Sequence, residues 1–402
     1  MGGLPRRATF IEQLRLESPN VLLVDTGDLL FSPSSLHDPN FLKFGELKGD
    51  LYMKTYNLMG YDAFTPGELD LAFGIDRLRQ LSKEAQFPFL LANLLDSRSG
   101  KPVFLPYRIK EIRGIKIGLI GLISNKYPLE NPPEEKGKYF LEDPVKTAGG
   151  LLVQLKRSCQ VIVVLGHMSL DEQANLAQAV PGIDFILSGH ISQYERDPVQ
   201  VKETRIFNAG SRGEYLGRVD FIMKSKKPQA QYQLVALATD YADHPRMIES
   251  ISQYKSNLQG YVQGLAQAGQ RVGADSVGPD GSTTQLQFMG DRYCLPCHQT
   301  QHQSWLQTAH ARAYQTLVRD NKSSDPACLT CHTTGFLSPK NPGANLVNVQ
   351  CEACHGPGDG HPDARKDLLK IRPEQCFQCH NRANSPNFHY PTYLDKIRHA
   401  QP

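Results

Sequence analysis

Short apolar runs alternate with longer amphipathic stretches over the first 240 residues. Short runs rich in β-branched and aliphatic residues are typical of strands that are buried on both faces. We predict such strands at residues 21–24, 89–92, 115–122, 161–165 and 184–187. Helical spacing predicts helices over 41–59 and 144–157, and runs at 218–223 and 232–238 predict a closing hairpin. Alternating strands and helices indicate an α/β domain.

The pattern changes after residue 240. Residues 245–270 are polar with apolar positions at helical spacing, which predicts a connecting helix, and 271–290 are rich in Gly, Ser, Thr and Asp, as in a linker. The remaining residues contain few aliphatic side chains and no convincing strand. We therefore predict an α/β domain over 1–240, a connecting helix and linker over 241–290, and a mostly α domain over 291–402.

Composition and charge argue against a transmembrane segment and against a nucleic-acid partner. The 402 residues are 40% hydrophobic, and no apolar run is long enough to cross a bilayer, so we expect no transmembrane segment. A net charge of +3 does not suggest a nucleic-acid partner.

The sequence Cys-x-x-Cys-His occurs four times after residue 290. This is the attachment signal of c-type haem, in which two cysteines form thioethers to the haem and the histidine binds the iron from the proximal side. The attachment cysteines are Cys294, Cys297, Cys328, Cys331, Cys351, Cys354, Cys376 and Cys379, and the proximal histidines are His298, His332, His355 and His380. Zinc sites are the alternative, because paired cysteines also build zinc ribbons, but zinc gives no reason for a histidine after every pair.

Four c-type haems would supply the apolar surface that the C-terminal domain lacks. We therefore expect the haems to form its core, and the haem-free domain to be largely unfolded. Only Cys159 lies outside the motifs, and we expect it to be a buried free thiol.

The sixth ligand of each iron must be a histidine or be absent. Residues 291–402 contain no methionine, so the haems are His/His or His/open, which favours low potentials. Five histidines of this domain lie outside the motifs, namely His302, His310, His361, His389 and His399.

The C-terminal domain closely resembles the tetrahaem cytochromes of the c-552/c-554 family. The resemblance rests on CLPCH with the following Trp305 and THA run, on CLTCHTTG from Cys328, and on CEACHGPGDGH from Cys351. It implies that His310 and His361 are distal ligands. The family's closing Ile-x-His pattern makes His399 the third distal ligand, with His389 as the alternative.

Two further interpretations concern the remaining histidines of this domain. We interpret His302 as a solvated residue, one helical turn from His298. The haem of Cys328 and Cys331 is left without an obvious distal partner. Its counterpart in the family can be five-coordinate, so an open haem is expected there.

The N-terminal domain resembles the calcineurin-like metallophosphatase domain of the periplasmic 5′-nucleotidase family. The matching segments are GGLPRR from Gly2, DTGD ending at Asp28, GYDA from Gly60, LGH ending at His167 and SGH ending at His190. The resemblance implies an α/β sandwich that holds two metal ions between loops at strand ends. Such a pair activates water and clamps phosphate.

The metal-binding motifs of that family are only half retained. The resemblance places Asp28, His167 and His190 at metal-ligand positions. The family's Gly-Asn-His-Glu reads Gly67-Glu68-Leu69-Asp70 here, without the bridging Asn and the catalytic His, and Gly-His-x-His ends in Ser192. Three ligands could hold one divalent metal, but we do not expect a two-metal phosphatase. We favour inherited loop residues that are now satisfied by hydrogen bonds.

These features predict an exported multihaem cytochrome that transfers electrons, with the α/β domain as scaffold or docking surface, and they favour an electron carrier over an enzyme. The expected partners are redox proteins and further copies of the chain, in a homo-oligomer or stacked assembly. Haem attachment outside the cytoplasm predicts a periplasmic or extracellular location. Because Met1 to Arg7 lacks an apolar signal core, we expect the export signal to have been removed or to precede this sequence. The alternatives are a haem oxidoreductase acting on a small nitrogen compound at an open haem, and a redox-linked phosphohydrolase.

Overall fold

The computed structural model of this chain describes residues 2–30, 41–127, 129, 132–191, 193–225, 227–272, 288–320, 322–323, 325–336, 346–358, 361, 371–380 and 384–399. The chain divides into two compact units. The first comprises Met1–Asp38 and Gly45–Gln253, and the second comprises Pro39–Phe44 and Tyr254–Pro402.

The first unit is built around a six-stranded mixed sheet. The sheet has the strand order β4-β5-β7-β8-β10-β9, in which β5, β7 and β8 run parallel and β4 and β9 pair antiparallel at the two edges. Smaller two-stranded sheets are formed by β1 with β2, β3 with β6 and β11 with β12. The strands are β1 (Val24–Asp25), β2 (Ala63–Phe64), β3 (Leu94–Asp96), β4 (Tyr107–Ile112), β5 (Ile115–Ile123), β6 (Tyr139–Leu141), β7 (Val161–His167), β8 (Phe185–Gly189), β9 (Val199–Val201), β10 (Thr204–Phe207), β11 (Tyr215–Lys224) and β12 (Lys227–Ala236).

Helices cover one face of this sheet and the hairpin β11–β12 covers the other. The helices that lie wholly or mainly in the first unit are α1 (Leu4–Glu17), α2 (Phe41–Met59), α3 (Glu68–Leu71), α4 (Ile75–Glu84), α5 (Pro144–Leu155) and α6 (Leu170–Ala179). Leu152 of α5 and Leu176 of α6 pack with Ile120 and Val164 on one face. Phe221 of the hairpin packs on the other face. Because β7 is buried along its whole length, its apolar side chains serve both layers.

The parallel strands bring chemically active side chains to one edge. His167 is the last residue of β7, and His190 follows β8 directly. The short strands β1 and β2 are also parallel, and they are followed by Asp28 and Glu68. Loops at the carboxyl ends of parallel strands are the usual place for ligand sites in α/β folds.

The second unit consists of short helices. They follow the long helix α7 (Pro245–Val272), and they are α8 (Asp291–Cys294), α9 (Gln299–Leu306), α10 (Ala313–Arg319), α11 (Pro326–His332), α12 (Cys351–His355), α13 (Pro373–Phe377) and α14 (Tyr390–Asp395). Strands β13 (Thr333–Thr334) and β14 (Leu346–Val347) form a two-stranded sheet, which the sequence did not predict. Among its described residues after 290, only Leu317 and Leu329 are buried hydrophobic side chains.

The fold class is as predicted, and most element bounds agree with the sequence. The strand predicted at 21–24 overlaps β1 only at Val24. Helix α2 spans the predicted residues, and α5 ends two residues early. The predicted strand at 89–92 is wrong, because its amide groups bind three different segments. Leu90 donates to Phe64, Leu91 to Leu105 and Ala92 to Gly121, so the segment bridges strands without forming a ladder. Most of the predicted linker lies outside the described residues. Within the described part of the chain, no helix is both long and apolar enough to span a bilayer.

Candidate functional sites

The Cys-x-x-Cys-His motifs lie on or beside short helices of the second unit. The third motif is helix α12 itself, and the second closes α11. In a helix, residues three and four positions apart lie on one face, so both sulfur atoms and the histidine of a motif can point to the same side. None of the eight motif cysteines forms a disulfide bond.

Three of the four proximal histidines face a second imidazole. The ring centroids of His298 and His361 are 6.2 Å apart with an interplanar angle of 24°. His380 faces His310 at 6.1 Å. His355 faces the ring of His399 at 5.8 Å. Each pair joins one motif histidine to one of the three histidines that the resemblance implied as distal ligands.

The spacing of these pairs matches that of two imidazoles on one iron. A metal–imidazole bond is about 2 Å long, and each ring centroid lies about 1 Å behind its nitrogen, so two axial rings are roughly 6 Å apart. Imidazole must be neutral to bind iron. Burial lowers the pKa of both His310 and His380, which favours the neutral form, and for His310 the neighbouring His380 adds to the effect.

His332 of the second motif is arranged differently. Its Nδ1 lies 2.8 Å from the carbonyl oxygen of Ala313 and 3.1 Å from Oγ1 of Thr316. A carbonyl oxygen only accepts, so Nδ1 carries the proton and Nε2 keeps its lone pair for a metal. Among the described residues, no second imidazole ring faces His332.

The two remaining histidines have protein partners. His302 is buried, not solvated as the sequence suggested. Its Nε2 lies 2.8 Å from a carboxylate oxygen of Asp291. His389 precedes α14, and its Nδ1 lies 2.8 Å from Oγ1 of Thr392. No imidazole pairs with His389 among the described residues, which distinguishes it from His399.

Contacts between motifs indicate which haem sites are neighbours. Cys294 and Cys351 lie close enough to shift the pKa of each other's thiol, which places the first motif beside the third. Cys331 and Cys379 affect each other in the same way, which places the second motif beside the fourth. The third and fourth motifs meet where Nε2 of Gln375 donates to the carbonyl of Cys354 at 3.3 Å.

A buried glutamate fixes the contact between the first and third motifs. The carboxylate of Glu352 accepts hydrogen bonds from the backbone N–H groups of Met289, Gly290 and Gly358. It is 2% exposed, so these charge-assisted bonds replace its lost hydration. Glu352 therefore ties the segment before the first motif to the loop after the third.

A second cluster of ligand-type side chains lies at the carboxyl edge of the parallel strands in the first unit. Asp28, Glu68, His167 and His190 each offer one ligand atom, and these atoms lie within 4.8 Å of one another. Nε2 of His167 is 2.8 Å from Glu68 and 3.3 Å from Asp28. Nδ1 of His190 is 2.6 Å from the other oxygen of Glu68. The unit therefore contains a candidate metal site.

Local backbone geometry makes room for this cluster. A Cβ atom on Gly67 would lie 2.2 Å from Oδ1 of Asp28 and 2.8 Å from Nε2 of His167. Asp28 and His190 have positive φ angles of 60° and 66°, which are uncommon outside glycine. Backbone strain of this kind is concentrated at functional sites.

Asp70 holds the loop that carries Asp28. Its fully buried carboxylate accepts hydrogen bonds from the backbone N–H groups of Gly67, Asp28, Leu29 and Leu30. Asp70 thus acts through the backbone and is not a ligand of the cluster.

The sequence identified three members of the cluster and missed Glu68. The replacement of Asn by Glu in the Gly-Asn-His-Glu motif was interpreted as the loss of a ligand. A carboxylate is itself a metal ligand, so the glutamate at position 68 already indicated a fourth ligand in the sequence.

Two protein families match this chain in separate regions. The family described as calcineurin-like phosphoesterase matches residues 1–194. The family described as cytochrome c554 and c-prime matches residues 293–356, which include the first three haem-attachment motifs.

Curated relatives of the chain are nucleotidases and phosphodiesterases. A 2′,3′-cyclic-nucleotide 2′-phosphodiesterase/3′-nucleotidase of Salmonella typhimurium is 29% identical over 256 residues, which cover 56% of this chain and 39% of the relative. The 5′-nucleotidase of Homo sapiens is 26% identical over 327 residues, which cover 73% of this chain and 54% of the relative. The chain thus spans about half the length of these relatives or less.

Solved structures agree on the fold of the first unit. The calcineurin-like phosphoesterase YfkN from Bacillus subtilis is 25% identical, with a TM-score of 0.51 over 64% of this chain and 89% of that one. A sulfate thiohydrolase SoxB of Thermus thermophilus is 20% identical, with a TM-score of 0.56 over 64% of this chain and 47% of that one. The chain therefore combines an N-terminal calcineurin-like metallophosphatase domain, with nucleotidases among its homologues, and a C-terminal domain of the cytochrome c554 family.

Proposed function

We propose that this protein is an exported multihaem c-type cytochrome that transfers electrons through four covalently attached haems. The observation that carries the proposal is the set of three imidazole pairs, each with the spacing of two axial ligands on one iron. Bis-histidine ligation keeps haem potentials low and leaves no position for substrate, which suits a haem that only passes electrons.

The pairs assign the ligands in this proposal. His298 and His361 would hold the haem of the first motif, His355 and His399 that of the third, and His380 and His310 that of the fourth. His332 alone would hold the haem of the second motif. His389 is not a ligand.

The contacts between motifs suggest a path for the electrons. The first motif contacts the third, the third contacts the fourth and the fourth contacts the second. Electrons would therefore pass through the haems in the order one, three, four, two, or in the reverse order. The haem of His332 then lies at one end of the path.

The N-terminal domain serves as a scaffold or docking surface for redox proteins. The cytochrome domain carries 12 Lys and Arg against 9 Asp and Glu, so eight ionised propionates would give it a charge of about −5. A basic patch on a partner would match this charge. Homo-oligomers or stacked assemblies, and a periplasmic or extracellular location, are part of the same proposal.

A redox titration of the holoprotein, with EPR of the oxidised state, tests the ligation. We expect three low-spin haems for every high-spin haem, because His332 faces no second imidazole among the described residues. Low potentials should accompany the low-spin signals. Fewer than three low-spin haems would contradict the assignment.

The variants His399→Ala and His389→Ala test the third haem separately. His399→Ala should convert one further haem from low-spin to high-spin, while His389→Ala, the matched control, should leave the spectrum unchanged. The opposite result would transfer the ligand role to His389.

A second candidate function is the reduction of a small nitrogen compound at the haem of His332. The tautomer of His332 leaves Nε2 for iron, and the other side of that iron would be open to a substrate. Binding of nitric oxide or cyanide to one haem in four supports this function, and spectra that do not change with either ligand exclude it.

The relatives of the N-terminal domain support phosphoester hydrolysis as a third candidate. At the position of the family's catalytic histidine, however, the chain has Leu69, which cannot transfer a proton. We therefore rank redox-linked hydrolysis below electron transfer. Turnover of nucleotide or phosphodiester substrates by the holoprotein would reverse that order.

A further inference from the structure

We propose that Asp28, Glu68, His167 and His190 bind one divalent transition-metal ion, with Glu68 as a ligand in its own right. The site is independent of the haems. Its donor set of two imidazoles and two carboxylates differs from the set that the family motifs imply, because a carboxylate replaces the amide of Asn.

His167 provides the first argument. Its Nδ1 contacts the carbonyl oxygen of Thr26, and since a carbonyl only accepts, Nδ1 is the protonated nitrogen. Nε2 of the neutral ring is then a lone pair that faces carboxylate oxygens of Glu68 and Asp28. The side chain is 1% exposed, and Nε2 has no hydrogen-bond partner. Acceptors that face one another in a buried site need a cation between them.

Glu68 provides the second argument. One carboxylate oxygen faces His167 and the other faces His190, so this side chain contacts both imidazoles. Oε2 is buried without a hydrogen-bond partner, like the nitrogen it faces. A metal ion would satisfy both atoms at once. The N–H of Leu69 donates to Asp28 at 3.1 Å, which fixes the second carboxylate beside the first.

The dimensions of the cluster suit a single ion. Ligand atoms at about 2.0–2.2 Å from one metal lie up to about 4.4 Å apart. The four ligand atoms lie within 4.8 Å of one another, so small side-chain movements bring them to bonding distance. The mixed nitrogen and oxygen donors favour manganese, iron or zinc over magnesium and calcium, which prefer oxygen alone.

Charge balance also favours one ion. Two carboxylates with two neutral imidazoles cancel the charge of one divalent ion. A second ion about 3.5–4 Å away would need further anionic ligands. Two acidic residues of the adjoining loops are engaged elsewhere, since Asp70 accepts four backbone N–H groups and Asp25 contacts Tyr56 and Arg7.

Titration of the chelator-treated holoprotein with Mn²⁺ tests the site. The six-line EPR signal of free Mn²⁺ at room temperature reports binding without any activity assay. We expect one Mn²⁺ per chain. The variant Glu68→Gln keeps the size of the side chain but removes its charge, and should weaken binding by at least about 10- to 100-fold.

Glu111→Gln is the matched control. Glu111 is exposed on β4 outside the cluster, so this variant removes the same charge and should bind Mn²⁺ as the parent does. Unchanged far-UV circular dichroism in both variants shows that they fold. No binding by the parent protein, equal binding by Glu68→Gln, or two ions per chain would overturn the proposal.

Discussion

In the first unit both faces of the central sheet are covered by side chains of the chain itself, whereas the second unit has two buried hydrophobic side chains among its described residues after 290. The second unit is instead organised by histidine pairs, thiol contacts and one buried carboxylate. The difference shows how two domains of one chain can depend on different sources of stability. The first depends on burial of its own apolar surface, whereas the proposed haems would supply the apolar surface of the second.

Removal of one haem should have the largest effect and should be confined to the second unit. The double variant Cys351→Ala/Cys354→Ala loses the third haem, whose motif contacts both the first and the fourth. Limited proteolysis followed by mass spectrometry should show cleavage after residue 253 at least about tenfold faster, with the fragment before it intact. Cys159→Ala, which changes the only cysteine outside the motifs, should leave the cleavage pattern unchanged. Equal destabilisation of both units would contradict the comparison.

Asp70→Ala should give the largest loss within the first unit. The variant leaves the backbone N–H groups of Gly67, Asp28, Leu29 and Leu30 without their acceptor, and should lower the free energy of unfolding by about 3–5 kcal/mol. Urea unfolding followed by far-UV circular dichroism measures it, while an unchanged haem spectrum shows that the second unit is intact. Asp70→Asn keeps one acceptor oxygen and should lose less. Equal losses would mean that charge, not hydrogen bonding, is responsible.

The smallest effect is a pH dependence of the chelator-treated protein. Without a metal, burial of His167 lowers its pKa, but the adjacent carboxylates of Asp28 and Glu68 outweigh burial and raise this pKa well above 6.5. His167 thus contributes stability below pH 6.5 that is lost as pH rises through its folded pKa. Bonds to His167 and His190 likewise outweigh burial and lower the pKa of Glu68, whose contribution is present above pH 4.5 and lost on acidification through its folded pKa.

Thermal unfolding of the first unit as a function of pH measures this effect. The melting temperature should be highest between about pH 4.5 and 6.5 and fall on either side. Saturating Mn²⁺ should reduce the fall at higher pH, since the metal takes the place of the proton on His167. A melting temperature that is independent of pH would show that the cluster does not hold that proton.

Local patterns in the sequence predicted the elements that their own residues determine. Helix α2 and the buried strands β5 and β7 follow from periodicity, and the haem motifs follow from spacing. The segment 89–92 was wrong because its hydrogen-bond partners are distant in sequence.

Side-chain partners that are distant in sequence were harder to predict. The resemblance supplied His310, His361 and His399, but not the motif histidine that each one faces. His302 was assigned to solvent because nothing local indicates that Asp291 folds onto it. Contacts between residues far apart in the chain depend on how loops place the helices and strands. The periodicity of a segment contains no information about that placement.

The close approach of cysteines from different motifs constrains the biosynthesis of the protein. If the chain became compact before it received haem, Cys331 would lie beside Cys379 and Cys294 beside Cys351. The interaction with Cys379 lowers the pKa of Cys331, which favours the thiolate form of this sulfur. In an oxidising compartment such pairs form cross-links that block haem attachment. If the proposed haems are attached in such a compartment, attachment to the open C-terminal segment avoids these disulfide bonds, whereas compaction before attachment favours them.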